Sequence, residues 1–356
     1  MQIFQELKVI ELSSVLAGPL VGTFFAELGA EVIKIENQMT GGDVTRKWKL
    51  PEENPNAPVS AYYAAANFGK KSIFKNLKIQ EDYEELMTWI TSADIVLVNF
   101  KPGDAQKLQL DFDTLSRVNS SLIYGEIIGF ADEDPRVAYD VVLQAETGYM
   151  SMNGQADSPP LKMPLAMMDI LAAHQLKEGI LCALLERAKD GKARKVSVSL
   201  YEAGVTALAN QASNWLMNGH IPQRIGSLHP NIAPYGETFP CEDGKWLVLA
   251  VGSDRQFEKL CQVLGLSALI ADARFETNTV RVQHRTALTG YLKEAFLKKP
   301  SSQWVPLLLD NQVPFGQIKN MKEVFEEDQA NQMILEEDME GLSTKRVKTV
   351  AFKITG

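Results

Sequence analysis

The segment that most limits what this chain can fold into is its opening, residues 8–49, KVIELSSVLAGPLVGTFFAELGAEVIKIENQMTGGDVTRKWK. Lys8–Leu12 alternates as a short strand does, and Gly18 and Pro19 then punctuate it. Proline is well tolerated in the first turn of a helix. Leu20–Leu28 reads as a buried helix with Gly29 as its C-cap, and Glu31–Glu36 as the next strand. Strand, helix and strand within about 30 residues form a βαβ unit with a right-handed crossover. The alternation continues: Tyr83–Thr91 is helical, and Asp94–Asn99 (DIVLVN) is a buried strand ended by Pro102 and Gly103. Ser121–Ile128 (SLIYGEII) is another strand. Ile170–Lys189 is a long helix ended near Gly191, Lys195–Leu200 a half-buried strand, and Ala203–Met217 a helix. This order predicts an α/β fold, a mostly parallel sheet covered on both faces.

At 356 residues the chain exceeds the size at which single cores stop growing, which predicts two domains. The texture changes at His229–Gly244 (HPNIAPYGETFPCEDG), dense in proline and glycine, before the strand KWLVLAV and a run of helices to Gln312. A second, smaller domain is expected over 224–320. The net charge of −9 argues against nucleic acid as a partner, while leaving room for a local basic patch that holds phosphates. Cys182, Cys241 and Cys261 are scattered, fitting a reducing compartment with neither disulfide framework nor metal spacing. The scattered histidines His174, His220, His229 and His284 argue against a zinc site. No run approaches the ~18 apolar residues of a membrane span. The expectation is a cytoplasmic protein with no membrane partner and no metal.

Gly18 and Gly22 do not make a dinucleotide fingerprint, because G-P-L-V-G lacks the G-x-G-x-x-G spacing. Glu36 nevertheless stands where a ribose-binding acid would, and the alternative role of the two glycines is close helix–sheet packing. Lys70, Lys71, Lys75, Lys78, Lys101 and Lys107 recur beside predicted strand ends. Ligands bind at the carboxyl edge of a parallel sheet, and polyphosphates need such cations, although a solvated lysine face has the same composition. Asp169 sits in an apolar run, PLAMMDILAA. A carboxylate there is costly unless paired or functional. Its spacing suits an N-cap of the long helix, and a helix N-terminus also stabilises a nucleophilic carboxylate, so the two roles are compatible.

The succession LKVIELSSVLAGPLVGTFFAELGAEVIKIE, GGDVTRKW, NFGKKSI, ADIVLVNFKPG, YDVVLQAETGYMSMNG, MMDIL and GILCALLERAKDGKARKVSVSLYEA resembles the class III CoA-transferases, the family of formyl-CoA transferase. The resemblance runs from Leu7 to Glu327. It implies a Rossmann-like large domain over 1–223, the small domain over 224–320 and a segment, 321–356, returning to the large domain. It also implies a homodimer of interlocked rings.

Carried over by position, the nucleophile falls on Asp169. Coenzyme A contacts fall on Leu16, Ala17, Asn37, Lys75, Asn76, Leu77, Lys78, Asn99, Phe100, Lys101 and Lys107. Val137, Ala138, Tyr139 and Asp140 line the pocket nearest the nucleophile. Asn37 replaces a basic residue, and Lys75 and Asn76 replace leucine and aspartate, which moves a cation from one loop to another. The small domain lacks the glycine-run loop of formyl-CoA transferase.

The implied reaction moves CoA from an acyl-CoA to a carboxylic acid through an aspartyl anhydride and an aspartyl-CoA thioester. The nearest alternative on this fold is 2-methylacyl-CoA racemisation, which needs a His-Asp pair where this chain has Tyr139-Asp140. A non-catalytic CoA-binding homologue is the other alternative, and the intact Asp169 counts against it.

Overall fold

A computed structural model describes residues 2–130, 134 and 136–355. In order, the chain runs through β1 (Lys8–Glu11), α1 (Ala17–Glu27), β2 (Glu31–Asn37), α2 (Ala61–Asn67), β3 (Lys70–Lys75), α3 (Gln80–Thr91) and β4 (Ile95–Val98). It continues through α4 (Asp104–Lys107), α5 (Phe112–Val118), β5 (Ile123–Ile128), α6 (Asp140–Glu146), α7 (Tyr149–Met152), α8 (Met167–Asp190), β6 (Arg194–Ser199), α9 (Leu200–Thr206) and α10 (Ala209–Asn218). The six strands form one parallel sheet in the order β3-β2-β1-β4-β5-β6. That order reverses between β1 and β4, the switch point where doubly wound sheets bind ligands.

The centre of the sheet forms because its inner strands are largely apolar on both faces. β4, Ile-Val-Leu-Val, is buried at every position. On one face Val9, Val32, Ile95 and Ile123 pack with Val21, Phe24 and Phe25 of α1 and Leu176 and Ile180 of α8. On the other, Ile10, Ile35, Val96 and Tyr124 meet Leu86 and Ile90 of α3 and Leu115 of α5. The helix expected over Ala203–Met217 is two helices, because Ala209 turns the chain at φ +46°. β3 and α2 lie in a stretch read only for its lysines: the strand alternates charged and apolar residues weakly, and its register comes from β2.

The chain divides into two compact units, 1–150 with 162–222 and 331–356, and 151–161 with 223–330. The second unit holds an antiparallel sheet of β7 (Tyr235–Pro240), β8 (Trp246–Ala250) and β9 (Phe315–Gln317). Phe239, Leu247 and Leu249 pack there against Phe257, Leu260, Leu292, Phe296 and Trp304. The hairpin β10 (Ile334–Met339) and β11 (Leu342–Val347) belongs to the larger unit. Glu337 accepts the Gly69 N–H at 3.1 Å, and Glu27 at the end of α1 pairs with Arg346 and accepts the Thr349 N–H at 2.8 Å.

Candidate active site

Asp169 is the third residue of α8, the crossover helix between β5 and β6. The start of such a helix lies toward the carboxyl edge of the sheet. The N-cap expected of Asp169 is supplied by another residue. The position preceding the helix is Ala166, and no side chain caps from there. Asp140, at the start of α6, accepts the Met168 N–H through Oδ1 at 2.7 Å. Gln144 locks that acid by donating to its Oδ2 at 2.6 Å, and its own Oε1 accepts the Met163 N–H at 2.7 Å. Asp169 lies one turn too far into the helix to cap it, which leaves its carboxylate outside the capping network.

Two effects oppose one another at Asp169. The positive end of α8 favours the anion. Burial disfavours it, as does the nearby Asp140 carboxylate, and together they push the Asp169 carboxyl up to about 7. Desolvation wins. The result is a half-buried acid that releases its proton near neutral pH and is a stronger nucleophile than an ordinary aspartate.

Tyr62, on α2, lies close enough to feel the charge of this acid. Its phenol is pushed up to about 12 by burial and then by the charges of Asp169, Asp140 and Asp43. It therefore stays a hydrogen-bond donor at neutral pH. Trp48 stacks edge-on against Tyr62 with ring centroids 5.1 Å apart and is itself partly exposed. Neither Tyr62 nor Asp43 was singled out from the sequence. The only local signals are the glycines before Asp43 and the Ser60 cap that starts α2.

The positions carried over for coenzyme A differ in how far their side chains are already engaged. Leu16 and Ala17 begin α1, directly after β1. Asn99 follows β4, and its side chain is engaged with the Ser14 backbone, accepting at 3.0 Å and donating at 2.8 Å. Phe100 and Leu77 pack against the core beneath α3. Lys78 and Lys101 are exposed. Lys107 is exposed and pairs with Asp104 at 3.0 Å, one helical turn away. Lys75 is held by Asp82 at 2.9 Å and Glu85 at 2.5 Å, and Asn76 donates its N–H to Asp82. Asn37 accepts the Met39 N–H in its own turn. Val137 and Tyr139 are exposed, whereas Ala138 packs against the core.

Two of the motifs are structural. Glu36 accepts from Arg46, from Tyr63 at 2.7 Å and from the Asp43 N–H at 2.7 Å, so it is not available to a ribose. Burial alone would raise its carboxyl, but these donors, Arg46 first, hold it at about 2. A Cβ on Gly18 would overlap Ser13, and one on Gly22 would overlap the Glu11 carboxylate, so both glycines serve close packing of α1 on β1. Lys70, one of the basic positions, is buried against Glu11 at 2.7 Å. Among the described residues no cluster of histidine, cysteine or acids could hold a metal ion. No described helix is long and apolar enough to cross a membrane.

The family model for CoA-transferase family III matches residues 4–355. This chain belongs to that family. A succinate–glutarate CoA-transferase of Agrobacterium fabrum is 38% identical over 94% of this chain and 84% of its own length. A succinyl-CoA:glutarate CoA-transferase of Homo sapiens is 32% identical over 93% of this chain and 75% of its own. The crystal structure of a CAIB/BAIF family protein from Brucella suis superposes with a TM-score of 0.86 at 36% identity, covering 97% of this chain and 91% of that one. As a family III CoA-transferase, the chain is an enzyme that acts on CoA thioesters. The α/β fold with its six-stranded parallel sheet matches that Brucella suis structure.

Proposed function

We propose that the enzyme exchanges CoA between two short dicarboxylic acids, with Asp169 as the covalent nucleophile. The carrying observation is the half-buried Asp169 carboxyl, raised to about 7 at the first turn of α8. Its carboxylate oxygen attacks the donor thioester carbonyl, the C–S bond breaks, and a mixed anhydride and CoA thiolate result. The thiolate then attacks the aspartyl carbonyl and releases the donor acid as its carboxylate. The acceptor carboxylate runs the same two steps in reverse, so no net proton, metal or redox partner is required. Positioned N–H donors stabilise each tetrahedral oxyanion, and water must be kept from the anhydride. The uncapped start of α1 at Leu16 and Ala17 and the protonated Tyr62 phenol suit the first task.

Coenzyme A lies along the carboxyl edge of the sheet in this reading, near Asn37, Lys75–Lys78, Asn99–Lys101 and Lys107, with Val137–Asp140 toward the thioester. The choice of dicarboxylic acids rests on the named activities of the Agrobacterium and human relatives. A racemase would need a second base opposite Asp169. Tyr139 is 64% exposed, and the Asp140 carboxylate is engaged in capping α8, which counts against that role. The working unit is a homodimer: α10 has no buried residue and exposes Trp215, Leu216 and Met217, an apolar surface suited to a second copy. The large domain of 1–223, the small domain of 224–320 and the return segment of 321–356 belong to the same proposal.

The test is a matrix of acyl-CoA donors against carboxylic acids, read by mass spectrometry, with hydroxylamine present during turnover. Succinyl-CoA and glutarate are expected to exchange, and hydroxylamine to modify Asp169 alone. Transfer by Asp169→Ala at the normal rate would refute the mechanism. Rapid α-deuteration of a 2-methylacyl-CoA in D₂O without an acceptor would replace it with racemisation.

A further inference from the structure

Four polar backbone groups of the loop between β1 and α1 are held by side chains from elsewhere in the chain. The Ser13 carbonyl accepts from Lys34 Nζ at 2.8 Å. Asn99 grips both backbone groups of Ser14. The Val15 N–H donates to both Asp43 oxygens, at 3.1 and 3.3 Å. Val15 itself has φ +73°. For a β-branched residue this left-handed conformation is a true outlier and persists only where the surroundings over-determine it.

Asp43 is built to impose it. The acid is buried, with Lys34 Nζ at 3.2 Å and the Thr45 N–H and hydroxyl at 3.0 and 2.8 Å. Lys34 is in turn buried against Glu11 at 2.9 Å. A chain of buried charges thus runs from the middle of the sheet to one strained peptide. Directly after that peptide, α1 starts without a side-chain cap, so its first N–H groups have no partner within the helix.

We propose that Asp43, seated on Lys34, is a positioning residue for CoA transfer: it holds Val15 in the left-handed conformation and thereby aims the N–H groups of Leu16, Ala17 and Gly18 at the reacting carbonyl. This rests on Asp169 being the nucleophile. The loop makes no covalent contribution. Its value is placement, and a misplacement of about 1 Å at a reacting centre costs roughly 100-fold in rate.

The test is Asp43→Asn, which keeps the shape and removes the charge, assayed on the full-length enzyme with its best donor and acceptor. Expected is a fall in kcat of roughly 10- to 100-fold with the KM for acyl-CoA changed less than about threefold. Adding Val15→Gly should restore at least about threefold of the lost kcat, because glycine adopts positive φ without steric cost. Rates are referred to the folded fraction of each variant measured by urea unfolding, so a role in folding alone would leave kcat per folded enzyme unchanged in Asp43→Asn. Should Asp43→Asn not fold, Val15→Pro removes the N–H that Asp43 holds and forces φ near −65° while leaving the Asp43–Lys34 pair in place, and it should show the same kcat-dominated loss. A kcat within twofold of wild type in the variant, or loss without rescue by glycine, overturns the proposal. Asp169→Ala run in parallel separates the two claims: its normal turnover would sink the nucleophile, whereas an inactive Asp169→Ala beside an unaffected Asp43→Asn would sink only the positioning role.

Discussion

Two stretches of the same sheet edge are built in opposite ways. After β1, residues 13–15 are pinned by Lys34, Asn99 and Asp43, two of them deeply buried, and the backbone is strained. After β3 and β4, Lys78 and Lys101 stand in solvent, while Lys75 and Lys107 pair with carboxylates of their own neighbourhood. Burial fixes a group to a fraction of an ångström at a high desolvation cost. Exposure leaves it mobile, screened and worth little in any single contact. In the proposed function the difference separates positioning of the reacting carbonyl from capture of a polyanionic tail, and that division can be attacked experimentally.

The harshest test removes the group that the rigid side serves. Asp169→Ala should lower kcat on the order of 10⁴-fold or more while CoA still binds, measured by stopped turnover and by calorimetry. If binding falls instead, the two functions are not separated as described.

Next in size is the packing beneath the rigid loop. Gly22→Ala places a methyl on the Glu11 carboxylate, which pairs with both Lys34 and Lys70. Forcing that buried network apart should cost about 3–5 kcal/mol in urea unfolding. Gly103→Ala, with open space around its Cβ but φ +80°, should cost only about 1 kcal/mol.

The third test is pH. As the proposed nucleophile, Asp169 must be ionised, so kcat/KM should rise with pH through about 7 and then level. Asp140→Asn keeps an acceptor for the Met168 N–H but removes the charge, so the inflection should move to lower pH. Stability carries the opposite sign. The Asp169 carboxyl is raised in the fold above its ordinary 3.8, so its contribution is fully present below pH 3.8 and is lost as pH rises through about 7. Asp169→Asn should therefore melt higher than wild type above neutrality, with the gap closing toward pH 4. An equal gap at both ends would mean that Asp169 is not desolvated.

The smallest effects belong to the exposed side. Lys78→Ala and Lys107→Ala should each raise the KM for acyl-CoA roughly two- to fivefold and flatten its salt dependence, with kcat unchanged. Lys75→Ala should do less, because Lys75 is already neutralised by Asp82 and Glu85. A Lys75 effect larger than that of Lys78 would show that those ion pairs open when substrate arrives.

By itself the sequence determined the βαβ opening, the buried strands around β4, the long helix following Asp169 and its end at Gly191, because period and apolar run length are local properties. It also held enough family pattern to point to CoA and to Asp169. It misjudged α10 as continuous with α9, and it passed over β3, whose alternation is weak without its neighbour β2. Only the tertiary structure decided that Asp140, 28 positions before Met168, caps the helix that carries Asp169. It alone decided that Glu36 is held by Arg46, that Lys70 is buried while Lys78 is not, and that Asp43 grips Val15. Hydrophobic periodicity is written in neighbouring residues. The ionisation and engagement of a charged group depend on what the fold brings within a few ångströms of it, from strands and helices far away in the chain.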